Sequence, residues 1–294
     1  MEFLLFLFIN GIAVGGVYAL VALGFVLIYK ATGAVNFAQG EVLLVGAYLV
    51  YAFLAQAGLP VWAAVLASFA TATLLGFLIE RLFLRPLVGE SVASVIMVTV
   101  GLAYVLRGAI RFVWGSGERS FPLIFPGGTL ALGALTVKVL HLWALGIAAA
   151  CLVIFSIFFR YSALGIRMRA AADNQRAALS VGIDVNRMFA VSWMIAALLA
   201  TVGGMVIGQM NVLNIELSYI GLTVFPVVIL GGLDSVPGAV LGGVVIGVLE
   251  NLVGGYLGAY FPGAVKVIVP YVVLLLILLV RPSGLFGTRE IERL

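Results

Sequence analysis

Polar side chains are scarce in this chain, so the few that cluster mark where its chemistry must lie. The densest cluster is 160–187, with five arginines (Arg160, Arg167, Arg169, Arg176, Arg187) and two aspartates (Asp173, Asp184). Its centre reads Arg176-Ala177-Ala178-Leu179-Ser180-Val181-Gly182-Ile183. Two adjacent alanines permit close approach of another backbone, Gly182 ends a helix, and Ile183 offers an apolar anchor. Such a surface can be gripped by another protein, and it carries no catalytic group. A second set is spread over two segments, KATGAVNFAQGE (30–41) with Asn36, Gln39 and Glu41, and ILGGLDSVPGAVLGG (229–243) with Asp234 and Ser235. Polar groups between apolar runs can line a path for a solute. They can equally cap backbone groups left free where a helix breaks.

Covalent chemistry is not encoded in any motif. There is no G-x-x-x-x-G-K-[ST] phosphate loop, no H-E-x-x-H and no G-x-S-x-G. The lone cysteine, Cys151, sits in an apolar run, and His141 is the lone histidine. Neither a disulfide framework nor a thiolate or multi-histidine metal site is expected. No catalytic residue and no metal ligand is assigned.

The elements that must hold these residues are membrane spans. Hydrophobic residues make up 64% of the 294, charged ones only 10%, and mean hydropathy is +1.26. A soluble domain carries about 25% charged residues and could not cover its surface otherwise. Apolar runs near a bilayer's width recur along the whole length, predicting an all-α polytopic membrane protein with interrupted helices and a cytoplasmic helix in 160–187. The expected spans are 4–29, 41–57, 61–83, 92–113, 139–159, 188–209, 219–232, 237–258 and 264–280, nine in all. The run 219–232 is short, either a half-helix or one that extends back into 211–218. Eight or ten spans follow if it is re-entrant or if the first run is split. The N-terminal run has no basic n-region or cleavage site and is expected to be a retained span. A single membrane domain, 1–294, is expected, with an external loop at 114–138 carrying lid-like or short β-like structure.

Basic loops stay on the cytoplasmic side. With 160–187 inside, the 84–91 loop and Lys30 are also inside, and the N-terminus is outside. The tail 281–294, with Arg281, Arg289 and Arg293, is then cytoplasmic. The net charge of +4 follows from this loop bias and not from nucleic-acid binding. Arg107 and Arg111 share one helix face. They form an external vestibule, pair with Glu250, or snorkel to the interface. Glu80 and Arg81 are expected at the interface. The spacings Gly11/Gly15, Gly204/Gly208, Gly238/Gly242 and Gly243/Gly247 are of the G-x-x-x-G kind and are assigned to helix packing.

The core Ala177-Ala178-x-x-x-Gly182 resembles the coupling loop of bacterial ABC importer permeases, in which Glu-Ala-Ala, three residues and a glycine form a short helix docked on the ATPase. Arg176 stands where that pattern has glutamate. Residues 11–48, 165–187 and 231–250 each resemble a signature of the high-affinity branched-chain amino acid permeases, of the LivH type by length. The resemblance implies a plasma-membrane subunit of a bacterium or archaeon, surrounded by lipid. It implies as partners a second permease subunit, two cytosolic ATPases and an extracytoplasmic substrate-binding protein. ATP and magnesium would be held by the ATPases, with no cofactor in this chain. Residues Arg176, Ala177, Ala178, Gly182 and Ile183 would couple to the ATPase, with 170–184 moving as a helical lever. Asn36, Gln39, Glu41, Asp234 and Ser235 would line the path. Other readings are an ion-coupled secondary transporter, for which Glu41 and Glu250 are the main carboxylates, a permease for urea or short-chain amides, and a membrane scaffold without a path.

Overall fold

The computed structural model describes residues 2–88, 90–132, 135–261, 264–281 and 284–287. Helices dominate, as the apolar runs predict. In chain order they are α1 (Glu2–Thr32), α2 (Gln39–Tyr51), α3 (Val61–Ile79), α4 (Val92–Trp114), α5 (Val139–Tyr161), α6 (Ala163–Asp173), α7 (Gln175–Ser180), α8 (Val185–Met210), α9 (Ile220–Gly231), α10 (Val236–Leu257) and α11 (Ala264–Val280). A π-helical turn, Ala52–Gln56, continues α2. Another, Glu80–Leu84, continues α3 into a 3-10 turn, Arg85–Leu87. A 3-10 turn, Ile215–Tyr219, leads into α9. The loop before α5 holds an antiparallel hairpin of β1 (Thr129–Leu132) and β2 (Leu135–Lys138), the short β structure expected of 114–138.

Seven of the helical segments are long and apolar enough to cross a membrane. Two shorter apolar ones, Ile215–Gly231 and Val265–Val280, bring the described total to nine. The protein is a polytopic helical membrane protein. The 219–232 run does extend backward, as far as Ile215. Apolar side chains stay open on the outer helices, Phe112 and Leu279 among them. In hydrocarbon this is the favoured arrangement, because only polar groups need be turned inward there. Of the basic tail expected inside, Arg289 and Arg293 lie outside the described residues.

Helix starts follow local chemistry. Ser91, Ser162, Asn174, Asp184 and Ser235 each accept a backbone N–H three residues on, capping α4, α6, α7, α8 and α10. Each cap satisfies one of the donors that a helix leaves unpaired at its first turn.

By contact the chain divides into two compact units. One comprises Met1–Val26, Phe125–Ala149 and Leu222–Leu294, and the other Leu27–Ile124 and Ala150–Gly221. In the first, the two expected glycine pairs meet each other. A Cβ on Gly11 would lie 2.6 Å from the Cα of Val248, and one on Gly15 would lie 2.8 Å from the Cα of Val244. A Cβ on Gly247 would meet Gly15 at 2.5 Å. Backbone lies on backbone where α1 crosses α10, which only glycine allows. Tyr18 donates to Glu250 at 2.9 Å near the same crossing. In the second unit α8 is the central post, with α2 and α3 against it. Gly46 lies against Thr201, Gly76 against the Trp193 carbonyl and Gly204 against the Leu43 carbonyl.

The crossing makes a stability prediction. Gly247→Ala should destabilise the detergent-solubilised protein by about 1–3 kcal/mol through overpacking. Gly101→Ala, on α4 with open space around it, should be neutral or stabilising by about 0.5–1 kcal/mol. Equal melting temperatures for the two variants would rule out this packing role.

Candidate functional site, a broken helix closed by a buried ion pair

The first expected break is present. α1 ends at Thr32, Gly33 turns with φ 70°, and α2 begins at Gln39. Asn36 and Gln39 are 1% and 0% exposed. Their work is local. Asn36 accepts from the Ala38 N–H at 3.0 Å and donates to Gln39 Oε1 at 3.1 Å. Gln39 donates to the Ala196 carbonyl at 3.5 Å. The Phe37 N–H reaches Thr99 Oγ1 at 3.3 Å, and Thr32 Oγ1 receives the Ala34 N–H at 3.2 Å. The exposed backbone of the break is thus answered from α1, α4 and α8.

One turn further on, Glu41 is buried and ion-paired with Arg107 of α4. Arg107 also donates to Ser218 Oγ at 3.1 Å, and its guanidinium lies 5.3 Å from the Tyr219 ring centre. One cation therefore joins α2, α4 and the turn before α9. A charged group in hydrocarbon is costly unless it is paired and hydrogen-bonded; this one is paired with Glu41 and bonded to Ser218, while its Nε has no acceptor among the described residues. Gly40 and Gly221 meet at the same place, a Cβ on Gly221 falling 2.5 Å from the Gly40 Cα. The starts of two short helical runs, α2 and Ile215–Gly231, therefore converge beside a charge pair. Such junctions of discontinuous helices are where transporters hold solutes, since helix starts present free N–H groups.

This arrangement corrects one expectation. Arg107 is not the partner of Glu250; its partner is Glu41, and Glu250 accepts from Tyr18. Arg111, one turn on, is exposed. Glu80 is buried and held by Arg85 through two bonds of 3.1 and 2.9 Å. Sequence reasoning singled out Glu41 and Arg107 but not their union, nor Ser218.

The second break lies in the other unit. α9 ends at Gly231, Gly232 takes φ 104°, and α10 begins at Val236. Ser235 caps α10 by accepting the Gly238 N–H at 3.1 Å, and Asp234 beside it is half-buried. The carbonyls of Leu230 and Gly231 accept from Leu285 and Phe286, near the end of the described chain. Asn36, Gln39 and Glu41 thus gather at one break, and Asp234 and Ser235 stand at another.

The 160–187 segment is two helices and not one lever. α6 stops at Asp173, and Asn174, with φ −152°, caps the separate six-residue α7. The expected continuous helix over 170–184 is interrupted because Asn174 supplies a better start than a continuation. Ala178 faces inward, while Arg176 and Ala177 are exposed. Gly182 has φ 81° and donates to the Leu179 carbonyl at 3.1 Å, and Ile183 donates to the Ala178 carbonyl at 2.9 Å. This is a glycine-terminated helix end. Ile183 is only half-open; the freely presented apolar groups are Leu179 and Val181, 60% and 74% exposed. Sequence reasoning passed over both. Their signal was available in the helical spacing, which puts them away from the inward Ala178.

The ion pair can be tested directly. Glu41→Gln and Arg107→Met each strand a partner and should each cost about 3–5 kcal/mol in the reconstituted protein. The double variant should recover part of that loss, with a coupling energy of about 1–3 kcal/mol. Strictly additive losses in thermal unfolding would show that the pair does not bind the break together.

Comparison with known proteins agrees with this architecture. Residues 7–278 match the family described as the permease component of branched-chain amino acid transport systems. The chain is 32% identical to the high-affinity branched-chain amino acid transport system permease protein LivH of Salmonella typhimurium, over 99% of both chains. It is 31% identical to BraD of Pseudomonas aeruginosa, which carries the same description, over 97% of this chain and 96% of that one. A solved structure, PsaBC from Streptococcus pneumoniae in complex with Fab, has the same fold, with a TM-score of 0.52 at 14% identity over 93% of this chain and 91% of that one. With a family match over residues 7–278 and full-length identity, the chain belongs to the family of branched-chain amino acid transport permeases.

Proposed function

We propose that this chain is the membrane-spanning permease subunit of an ATP-driven importer for branched-chain or related hydrophobic amino acids. It sits in a bacterial or archaeal plasma membrane with the α6–α7 segment and the C-terminus in the cytoplasm and the N-terminus outside. A second permease subunit completes the path, two cytosolic ATPases bind ATP and magnesium, and an extracytoplasmic binding protein delivers the solute. The chain carries no ATPase site of its own.

The observation that carries this reading is α7. A six-residue helix capped by Asn174 and closed by Gly182 holds Leu179 and Val181 open beside Arg176, on a chain of the permease family. Large apolar side chains left in water mark an interaction site. A small rigid helix between two longer ones transmits displacement. The ATPase can shift the permease between states only through contacts that differ between those states, and α7 presents such contacts at α8 through Ile183 and Asp184.

The α2 start offers the solute passage. Free N–H groups at helix starts suit a carboxylate, and the apolar walls suit a hydrocarbon side chain. The Glu41–Arg107 pair closes this junction and is the natural element to rearrange during alternating access.

Two substitutions decide between this and an ion-coupled carrier. Val181→Asp and Gly182→Trp should abolish co-purification of the ATPase and reduce ATP-driven uptake of leucine about tenfold or more, with normal membrane levels. A Cβ at position 182 meets no neighbour within 4 Å, so the effect of Trp would fall on the helix end and the partner and not on this chain's core. Uptake that survives without any ATPase and collapses with the proton gradient would overturn the proposal.

A further inference from the structure

A cavity of about 220 Å³ lies in the second unit, between the end of α3, the α3–α4 connection and the first residues of α7. Its walls include Leu84, Leu87, Val95 and Phe189, an apolar surface suited to a short hydrocarbon. Five polar residues line the same space: Thr32, whose hydroxyl donates to the Ile28 carbonyl, Glu80, and from three further elements Trp193, Glu90 and Gln175. Trp193 of α8 is 2% exposed, and its indole Nε1–H, itself out of solvent contact, has no hydrogen-bond acceptor among the described residues. A buried donor without a partner is uncommon in a folded protein, and a ligand oxygen would satisfy it. Glu90 is an open carboxylate with no ion pair among the described residues, whereas Glu80 is already held by Arg85. Gln175, the first residue of α7, offers an amide that can both donate and accept.

The complement of this set is specific. An ammonium fits Glu90 and the Gln175 oxygen. A carboxylate fits the Trp193 N–H and the Gln175 amide. A small hydrocarbon fits the walls. We propose that the cavity binds a zwitterionic amino acid with an apolar side chain, on the α7 side of the protein and apart from the Glu41–Arg107 junction. The ligand has the chemistry of the solute assigned above, and the regulatory part of the inference rests on that reading. Solute that accumulates on this side would contact Gln175 and hold α7 in one position, restraining the step that ATP drives. Occupancy thereby feeds the product level back onto coupling.

The test uses the complete transporter, both permeases with their ATPases, in proteoliposomes with the ATPases facing the bath and the binding protein enclosed in the lumen with leucine. L-Leucine added to the bath should slow ATP hydrolysis. Isoamylamine, which lacks the carboxylate, and 4-methylpentanoate, which lacks the ammonium, should act only at much higher concentration. Glu90→Gln and Val95→Phe should leave hydrolysis without leucine unchanged and raise the half-effect concentration about tenfold or more, the loss of one charge-assisted bond or of the space itself. If Val95→Phe fails to assemble, Glu90→Gln decides alone. An unchanged leucine response in the variants overturns the site. So does a wild type that moves lumenal leucine to the bath on ATP but ignores bath leucine; the transport reading then stands without the feedback. If no leucine is moved, yet calorimetry shows leucine binding that both variants weaken, the transport reading fails and the site stands.

Discussion

Unpaired backbone cannot be left in hydrocarbon, and the rest of this structure follows from how that constraint is met at two broken helices. Each unsatisfied N–H or C=O there costs several kcal/mol. The first break is answered by side chains, through Asn36, Gln39, Thr32 and Thr99. At the second, the carbonyls ending α9 are answered by main chain, the Leu285 and Phe286 N–H groups, and only the start of α10 by a side chain, Ser235. The two solutions differ in what they permit. Side-chain amides can exchange partners by rotating, so the Asn36–Gln39 break can reshape without exposing backbone. The second break is fixed by the chain's own terminal segment.

Glycine contacts serve the same end by other means. At the α1–α10 crossing and at the Gly40–Gly221 contact, backbones approach so closely that no side chain lies between them. Packing of this kind needs no rotamer to be ordered and gains dispersion along the whole contact. Partner helices can therefore meet at a point while the polar groups beside them, Tyr18 and Glu250 in one unit and Glu41 and Arg107 in the other, find each other.

The spans were legible because hydrophobic length is a local property, and so were the breaks, since runs such as Asp234-Ser235-Val236-Pro237 interrupt any apolar helix. The helix caps at Ser91, Ser162, Asn174, Asp184 and Ser235 are not among the sequence expectations, and without the Asn174 cap the sequence reads as one lever where two helices stand. Residue type alone flagged Glu41 and Arg107 as charges needing a reason. Their union spans 66 positions, and nothing local encodes it. A single sequence offers many acids for one arginine, and the pairing weighed for Arg107 is with Glu250, which the fold excludes. The exposure of Val181 is intermediate in kind: helical spacing points it away from Ala178, but which face is inward depends on α8.

The pair at Glu41 has one more consequence, an electrical one. A carboxylate and a guanidinium held together sum to zero charge. Moving them jointly across part of the membrane therefore does no work against the transmembrane voltage, whereas moving either alone would cost up to about 2.3 kcal/mol per 100 mV. As long as the Glu41–Arg107 contact travels as a unit, these two charges add no voltage dependence to any movement of this helix start.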